Sequence, residues 1–332
     1  MPELRHDPLS GAWVLLAPER IRRPGRHRRG RATPGAPDPG CPFCPGREGM
    51  TPPETDALRE DGTSPDSPGW RLRCVPNKFQ AIAPGPLQER GAAPFEALAG
   101  GGYHEVLVDS PGHTMGLADL PDGQSIQALR TIRRRARAFL RDPSVRAVAL
   151  FKNHGAEAGA SMGHSHIQLL GLPVLPPHIE RRRANEARFF KERGEPLLAH
   201  LAEEELRHGA RVVEAGEGAL VLCPFASRLP YQSLVLPWPA QASCLEAPEE
   251  ALAAAGAALA RQLRRLKALL DDPPLNVLFH IECRDGSDPR AHPWHIEILP
   301  RLTHIAGLEL GAGAHILEVS PEEAAEKLRG AG

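Results

Sequence analysis

The sequence lacks a long apolar run and any excess of charge of one sign. No stretch approaches the roughly 20 apolar residues that a membrane-spanning helix needs, and the first residues lack the charged-then-apolar pattern of a signal peptide. Lys and Arg number 40 against 41 Asp and Glu, so the net charge of -1 provides no general attraction to nucleic acid or to a membrane surface. These absences predict a cytoplasmic protein that binds neither nucleic acid nor membrane.

Cysteines are few, six in 332 residues, which is too sparse for a fold held together by disulfides. Only Cys41 and Cys44 stand close together, in the order Cys-Pro-Phe-Cys. A CxxC pair in a reducing compartment is typical of metal ligation. We therefore expect a metal at these two thiols, and ordinary buried thiols at positions 74, 223, 244 and 283.

A pattern of helix and strands occurs twice along the chain. In each half an amphipathic helix is followed by two strand-like segments. These are residues 125–140, 146–152 and 164–170 in the first half, and residues 249–270, 276–282 and 295–299 in the second. The pattern predicts duplication of an α+β unit, each an antiparallel sheet with a helix on one face. Chance is the alternative, because the Asp-Pro pair that ends both helices is a common stop signal.

Two imidazoles and an amide share one face of the strand at residues 164–170. Alternate side chains of a strand point to the same side, so His164, His166 and Gln168 face one way. The preceding residues 153–163 are small and Gly-rich, so that their backbone amides and the Ser161 hydroxyl can approach a phosphate closely. The pattern favours a phosphate site. A tight turn beside a zinc ligand or a core histidine pair is the alternative.

The segment GHSHIQ at residues 163–168, with FKNHG and ASM before it, resembles the active-site segment of the galactose-1-phosphate uridylyltransferases. That family is the transferase branch of the histidine triad superfamily. The resemblance covers most of the chain and includes residues 5–8, 13–15, 20–24, 41–44, 75–79, 104–106, 110–113, 294–297 and 307–309. It implies an α+β fold of two tandem histidine-triad-like domains. Residues 1–178 would hold the zinc site and the nucleophile, and residues 179–332 would form the second domain.

The resemblance implies that His166 attacks the α-phosphorus of a nucleotide sugar and forms a nucleotidyl-histidine. Neutral imidazole is a good nucleophile at physiological pH and leaves readily once phosphorylated. Gln168 would bond the phosphoryl oxygens, at a position where the histidine triad hydrolases carry a third His. The family's other phosphate, nucleotide and hexose contacts correspond to Ser161, Asn153, Asn77, Arg20, Arg23 and Glu309.

The family also implies metals. Cys41, Cys44, His113 and His164 match its zinc site, and two thiolates with two imidazoles suit tetrahedral zinc in a structural role. Some members hold a second metal, iron or zinc, at positions that correspond to His280, His295 and Glu297. The alternative is that the second repeat is catalytically silent and these polar groups bond one another.

The resemblance leaves the donor and the acceptor open. The family reaction is uridylyl transfer from UDP-glucose to a hexose 1-phosphate such as galactose 1-phosphate, in a homodimer whose subunits complete each other's sites. However, Ser165 replaces the usual Pro, and Thr303 and Leu308 replace a Lys and an aromatic residue at the hexose phosphate. Residues 300–314 resemble ADP-glucose phosphorylases, which transfer adenylyl groups to phosphate. A catalytically inactive nucleotide-binding module is the third alternative.

Overall fold

A computed structural model of the chain describes residues 2–22 and 38–332. Its strands are β1 Glu3–His6, β2 Trp13–Leu16, β3 Asp56–Arg59, β4 Trp70–Pro76, β5 Gln88–Arg90, β6 Ala97–Ala99, β7 Tyr103–Val108, β8 Ala147–His154, β9 His166–Leu172, β10 Val212–Gly216, β11 Gly218–Leu222, β12 Ser233–Trp238, β13 Leu275–His280, β14 His295–Pro300 and β15 His315–Leu317. Its helices are α1 Asp122–Phe139, α2 Pro177–Arg193, α3 Leu197–His208, α4 Glu249–Leu270, α5 Gly307–Ala312 and α6 Pro321–Arg329.

Ten strands form one sheet in the order β10-β11-β12-β14-β13-β8-β9-β7-β4-β3, and every neighbouring pair is antiparallel. Counted outward from the central pair, β8 and β13, the two halves of the sheet follow the same order. In this order β9 corresponds to β14, β7 to β12, β4 to β11 and β3 to β10. In the first half α1 precedes β8, and in the second half α4 precedes β13. The structure confirms the predicted α+β architecture and its repetition.

Strand register gives the correspondence between the halves. Phe151 lies opposite Leu278 where β8 meets β13. Gln168 lies opposite Phe151, and Glu297 lies opposite Leu278. A two-fold rotation about the midpoint of the Phe151 and Leu278 pair therefore exchanges Gln168 with Glu297.

The helices α1 and α4 cover one face of the sheet, where the main core lies. Ile167 and Leu169 are fully buried on this face, so that the residues alternating with them, His166 and Gln168, point to the opposite face. The two helices approach closely at Gly256 of α4. A Cβ atom there would lie 2.9 Å from the Cα of Ile126 in α1, so this contact requires glycine.

On the opposite face α3 packs against the second half of the sheet. Leu198 and Ala202 of the helix contact the apolar residues Leu220, Leu222, Leu234 and Leu236 of β11 and β12. The predicted domain boundary between residues 178 and 179 falls in the first turn of α2. No helix among the described residues is long and apolar enough to cross a membrane.

A smaller sheet joins the two ends of the chain. Its order is β1-β2-β15, and β15 runs parallel to β2. The strands β5 and β6 form a separate hairpin. Strand pairing therefore joins the two ends of the chain to each other, and packing of Val14, Leu16 and Leu317 against Ala226 attaches them to the second half.

Candidate active site and metal centre

His166 is the first residue of β9, and its ring orientation is determined by one hydrogen bond. Its Nδ1 lies 2.8 Å from the carbonyl oxygen of His164. A carbonyl oxygen can only accept, so Nδ1 carries the ring proton and Nε2 keeps a free lone pair. Burial lowers the pKa of His166, and the positive charge of Lys152 lowers it further. The ring is therefore a neutral imidazole whose Nε2 lone pair is available.

Gln168 is oriented by His104 on the neighbouring strand β7. The backbone amide of Ala81 donates to His104 Nδ1 at 3.0 Å, so the ring proton is on Nε2. That Nε2 lies 3.1 Å from Gln168 Oε1 and donates to it. The amide nitrogen of Gln168 is then directed away from His104 and can donate to a phosphoryl oxygen. Asn77 Nδ2 lies 3.1 Å from the same His104 Nε2, a contact between two donors in this tautomer.

Replacing His104 by Phe is expected to lower kcat about tenfold, the effect of losing one orienting hydrogen bond of about 1.4 kcal/mol. The KM for the nucleotide sugar should change by less than about twofold, because the amide bonds most strongly in the transition state. Steady-state kinetics would measure both. The matched control is Tyr103→Phe, which removes a hydrogen bond to Asp142 from the adjacent residue of β7. A His104→Phe variant with unchanged kcat would contradict this role.

The buried Lys152 side chain bonds to groups at the start of β9, the strand that begins with His166. Lys152 Nζ lies 2.7 Å from Asp109 Oδ2, 2.5 Å from Ser165 Oγ and 3.3 Å from the carbonyl oxygen of His166. All three ammonium protons have acceptors, and the carboxylate of Asp109 is fully buried. The Ser165 hydroxyl is one of those acceptors, which gives the serine between the two histidines a structural function.

Replacing Lys152 by Met is expected to lower the free energy of unfolding by about 3–5 kcal/mol, because it leaves the buried Asp109 carboxylate without its partner. Urea denaturation would measure the loss. Replacing the exposed Lys191 of α2 by Met is the control and should change stability by less than about 0.5 kcal/mol. A loss below about 1 kcal/mol for Lys152→Met would show that the ion pair is not essential to the strand.

The Gly-rich loop at residues 155–163 is tied to both halves of the sheet. Asn153 Nδ2 donates to the carbonyl of Gly159 at 3.2 Å. Asn276 of β13 donates to Asn153 Oδ1 and to the carbonyl of Ala158, both at 2.8 Å. Ser161 is exposed and lines a cavity of about 280 Å³ together with other residues of this loop. The loop is therefore held in place while its hydroxyl stays accessible.

The structure brings the four predicted zinc ligands together. Cys41, Cys44, His113 and His164 each place one ligand atom within 4.8 Å of all the others. His164 Nδ1 lies 3.6 Å from both sulfurs, and His113 Nδ1 lies 3.4 Å from Cys44 Sγ. A tetrahedral ion with Zn–S and Zn–N bonds of about 2.3 and 2.1 Å requires N···S separations of about 3.6 Å. The donor set fits one tetrahedral ion.

The surroundings of this cluster favour metal binding. His164 Nε2 donates to the carbonyl of Ser110 at 2.8 Å, which leaves Nδ1 free as the ligand atom. Burial and the neighbouring Cys44 raise the pKa of Cys41 to about 11, so a cation is needed to hold the Cys41 thiol as a thiolate. Phe43, within the CxxC turn, lies 5.6 Å from the His166 ring between centroids. The CxxC turn therefore also contacts the His166 ring.

Two predicted binding residues, Arg20 and Glu309, lie in other parts of the described chain. Arg20 is exposed in a 3₁₀ turn. Arg23 lies outside the described residues. The carboxylate of Glu309 accepts hydrogen bonds from the backbone amides of Ala306 at 2.9 Å and Ile316 at 3.4 Å, so it caps the start of α5. Their binding roles stay predictions.

The second predicted metal set has a different arrangement. His280 and His295 stack with ring centroids 4.5 Å apart, and His280 Nε2 lies 3.1 Å from Glu297 Oε2. Both oxygens of Glu297 lie 2.8 Å from Arg228 Nη2. Among the described residues, the spacing of a metal shell is found at Cys41 and its three partners and not here. The expectation of a second metal does not fit a carboxylate that is already bound to a guanidinium.

Sequence reasoning missed His104, Lys152 and Asn276 as functional positions. Each carried a weak signal, a polar residue within an apolar strand pattern. That signal says only that the residue has a partner. The partner's identity follows from strand order, because His104 meets Gln168 through the pairing of β7 with β9.

Comparison with known proteins agrees with this geometry. The model of the galactose-1-phosphate uridyl transferase N-terminal domain family matches residues 1–176. ADP-glucose phosphorylase of Arabidopsis thaliana is 30% identical over 338 residues, which cover 99% of this chain and 92% of the relative. Galactose-1-phosphate uridylyltransferase of Thermotoga maritima is 26% identical, with coverage of 99% and 98%. The crystal structure of the Arabidopsis phosphorylase with bound ADP-glucose superposes with a TM-score of 0.83 at 27% identity and covers 99% of both chains.

Proposed function

This chain belongs to the galactose-1-phosphate uridylyltransferase family, and we propose that it transfers the nucleoside monophosphate of a nucleotide sugar through a covalent bond to His166. The observation that carries this proposal is the hydrogen bond from His166 Nδ1 to the His164 carbonyl. It leaves Nε2 as the only nucleophilic atom of the ring.

The reaction has two steps. In the first, Nε2 of His166 bonds to the α-phosphorus while the bridging P–O bond breaks and the sugar 1-phosphate leaves with that electron pair. The Nδ1 proton stays on the ring, and its bond to the His164 carbonyl stabilises the charge that the imidazole acquires. The amide of Gln168 donates to a non-bridging oxygen. In the second step a phosphate oxygen of the acceptor attacks the same phosphorus, and the P–N bond breaks.

Gln168 also explains why the intermediate would wait for an acceptor. An amide does not titrate, so it cannot take a proton from a water molecule as a third histidine could. A phosphate acceptor arrives already ionised and needs no such base. The residues of the site therefore favour transfer over hydrolysis.

For the donor and the acceptor we propose the family reaction, uridylyl transfer from UDP-glucose to a hexose 1-phosphate such as galactose 1-phosphate. Adenylyl transfer from ADP-glucose to phosphate is a second candidate. It is supported by the 30% identity to the Arabidopsis phosphorylase and by the solved relative that holds ADP-glucose. Thr303 and Leu308 support it too, since neither offers a charge or an aromatic ring to a hexose phosphate.

The test is a set of four rate measurements in which UDP-glucose or ADP-glucose is paired with galactose 1-phosphate or inorganic phosphate. A ping-pong pattern with UDP-glucose and galactose 1-phosphate supports the first candidate. Faster turnover with ADP-glucose and phosphate would replace it with the second. No turnover with any pair would contradict nucleotidyl transfer between these substrates.

We also propose that the metal is zinc and that the protein is a cytoplasmic homodimer. Two thiolates and two imidazoles suit zinc, and a thiolate site suits a reducing compartment. Ile305, Leu308 and Leu310 are between 38% and 79% exposed, in or beside the segment that completes the partner's site in the family. Light scattering that gave only a monomer at micromolar concentration would contradict the dimer.

A further inference from the structure

The second half of the protein retains the catalytic arrangement in altered form. The two-fold rotation that relates Gln168 to Glu297 also relates His166 to His295, the first residue of β14. His295 Nδ1 lies 3.2 Å from the carbonyl of Pro293, as His166 Nδ1 lies 2.8 Å from that of His164. Gln168 and Glu297 are three strand spacings apart, about 14 Å. The residues around His295 therefore form a second site, separate from that of His166, in which the histidine ring bonds to the backbone in the same way.

In this second site the guanidinium of Arg228 bonds to the carboxylate of Glu297. Arg228 Nη2 lies 2.8 Å from both Glu297 oxygens. Gln232 Nε2 donates to Oε1 at 2.6 Å, and His280 Nε2 donates to Oε2 at 3.1 Å. Glu297 is only 6% exposed, so its charge is compensated almost entirely by these contacts. The carboxylate has no further lone pair directed at an open position.

A second guanidinium faces His295. Because Nδ1 of this ring donates to the Pro293 carbonyl, its Nε2 is an acceptor, and Arg182 Nη1 lies 3.4 Å from it. Arg182 and Arg228 both line the cavity of about 290 Å³ that adjoins these residues. A metal bound to Glu297 at about 2.1 Å would lie within about 5 Å of Arg228 Nη2. Like charges at that separation repel strongly where water is excluded.

We propose that the Arg228 guanidinium takes the place of a metal cation in the second half, so that this site binds no metal. The Arg228 guanidinium compensates the charge of Glu297 and bonds to the carboxylate oxygens that a metal would need as ligands. The second imidazole pair then serves as part of a hydrogen-bonded network. Arg182 leaves His295 without a free Nε2, which explains why the second half contributes structure and not chemistry.

The first test is the metal content of the purified holoenzyme by mass spectrometry. We expect one metal per chain, lost when Cys41 and Cys44 are replaced by Ala. Two tightly held metals per chain, one of them lost in a His295→Ala variant, would overturn the proposal. This measurement does not depend on activity or on the identity of the substrate.

The second test replaces Arg228 by Met and titrates the zinc-loaded protein with Co²⁺, followed by visible absorption. Removing one partner of a buried ion pair leaves an uncompensated charge, so the variant should bind Co²⁺ at least about 100-fold more tightly than the unaltered protein. The absorption should lack thiolate charge-transfer bands. The double variant Arg228→Met, Glu297→Gln is the control and should gain no Co²⁺ site.

If the Arg228→Met variant is unstable, its unfolding temperature with and without Co²⁺ provides the measurement. Arg228→Met should unfold at a lower temperature than the unaltered protein, and Co²⁺ should restore part of the difference. If the variant does not fold alone, it is refolded with and without Co²⁺. Recovery of folded, Co²⁺-containing protein supports the proposal, and no recovery or no binding overturns it.

Discussion

Replacing His166 by Ala is expected to lower turnover by on the order of 10⁴-fold or more, the scale of losing a catalytic nucleophile. In the proposed mechanism Nε2 of His166 forms the covalent bond, and neither Gln168 nor Ser161 can replace it as a nucleophile at this place. Stopped assays with high enzyme concentration would measure the residual rate. Circular dichroism would establish that the variant is folded.

The matched control for this experiment is His295, the residue that corresponds to His166 in the second half of the chain. His295 has the same place in the second half and a similar hydrogen bond to a backbone carbonyl. A His295→Ala variant that is folded should keep turnover within about tenfold of the unaltered protein. Substantial turnover in His166→Ala, or equal losses in both variants, would contradict a nucleotidyl bond to His166.

Loss of the metal is expected to lower the free energy of unfolding by about 4 kcal/mol or more, as losses of structural metals do. Replacing Cys44 by Ala tests this directly. The ligands join the CxxC turn, the loop after β7 and the residue two before His166, and no other cross-link in the described chain unites all three. Metal analysis and urea denaturation would measure the change.

Cys283→Ala is the control for the metal experiment, because this thiol lies outside the cluster and is partly exposed. It should retain the metal and nearly all stability. The Cys44→Ala variant should also lose activity at temperatures where it remains folded, since His164 holds the strand of the nucleophile. A variant that retained stoichiometric metal, or full stability without it, would contradict a structural metal site.

Periodicity in the sequence predicted the elements that bury apolar faces. The helix expected at residues 125–140 is α1 Asp122–Phe139, and the strand expected at residues 164–170 is β9 His166–Leu172. In both, apolar side chains recur with the period of the element. Their ends shift by one to three residues, because caps and turns and not the apolar pattern decide where an element stops.

The helix α2 could not be predicted in this way. Its buried residues are Arg183 and Glu186, which pair with Asp285 and with His292 at 2.6 Å. A helix held by polar contacts has no apolar stripe, and its partners are about 100 positions away in the chain. Similarly, β3 Asp56–Arg59 lies in a stretch rich in Pro and Gly, a composition that favours loop. Its pairing with β4 overrides that local preference.

In the candidate site, too, the local strand pattern could be predicted from the sequence and the contacts between distant segments could not. The alternation of His164, His166 and Gln168 depends only on a local strand, so the sequence alone placed them on one face. The contacts of Gln168 with His104 and of Glu297 with Arg228 join distant strands and loops. Those contacts depend on register, which no local pattern determines. This is why the shared face of these three side chains was foreseen and the guanidinium in the second half was not.

The covalent intermediate itself is the most direct test. Intact-protein mass would be measured after brief incubation without acceptor, with UDP-glucose and separately with ADP-glucose. The samples are quenched at alkaline pH because phosphoramidates are labile in acid. We expect one nucleoside monophosphate per chain with at least one donor, absent from the His166→Ala variant. An unmodified mass with the donor that supports turnover would contradict a nucleotidyl-histidine mechanism.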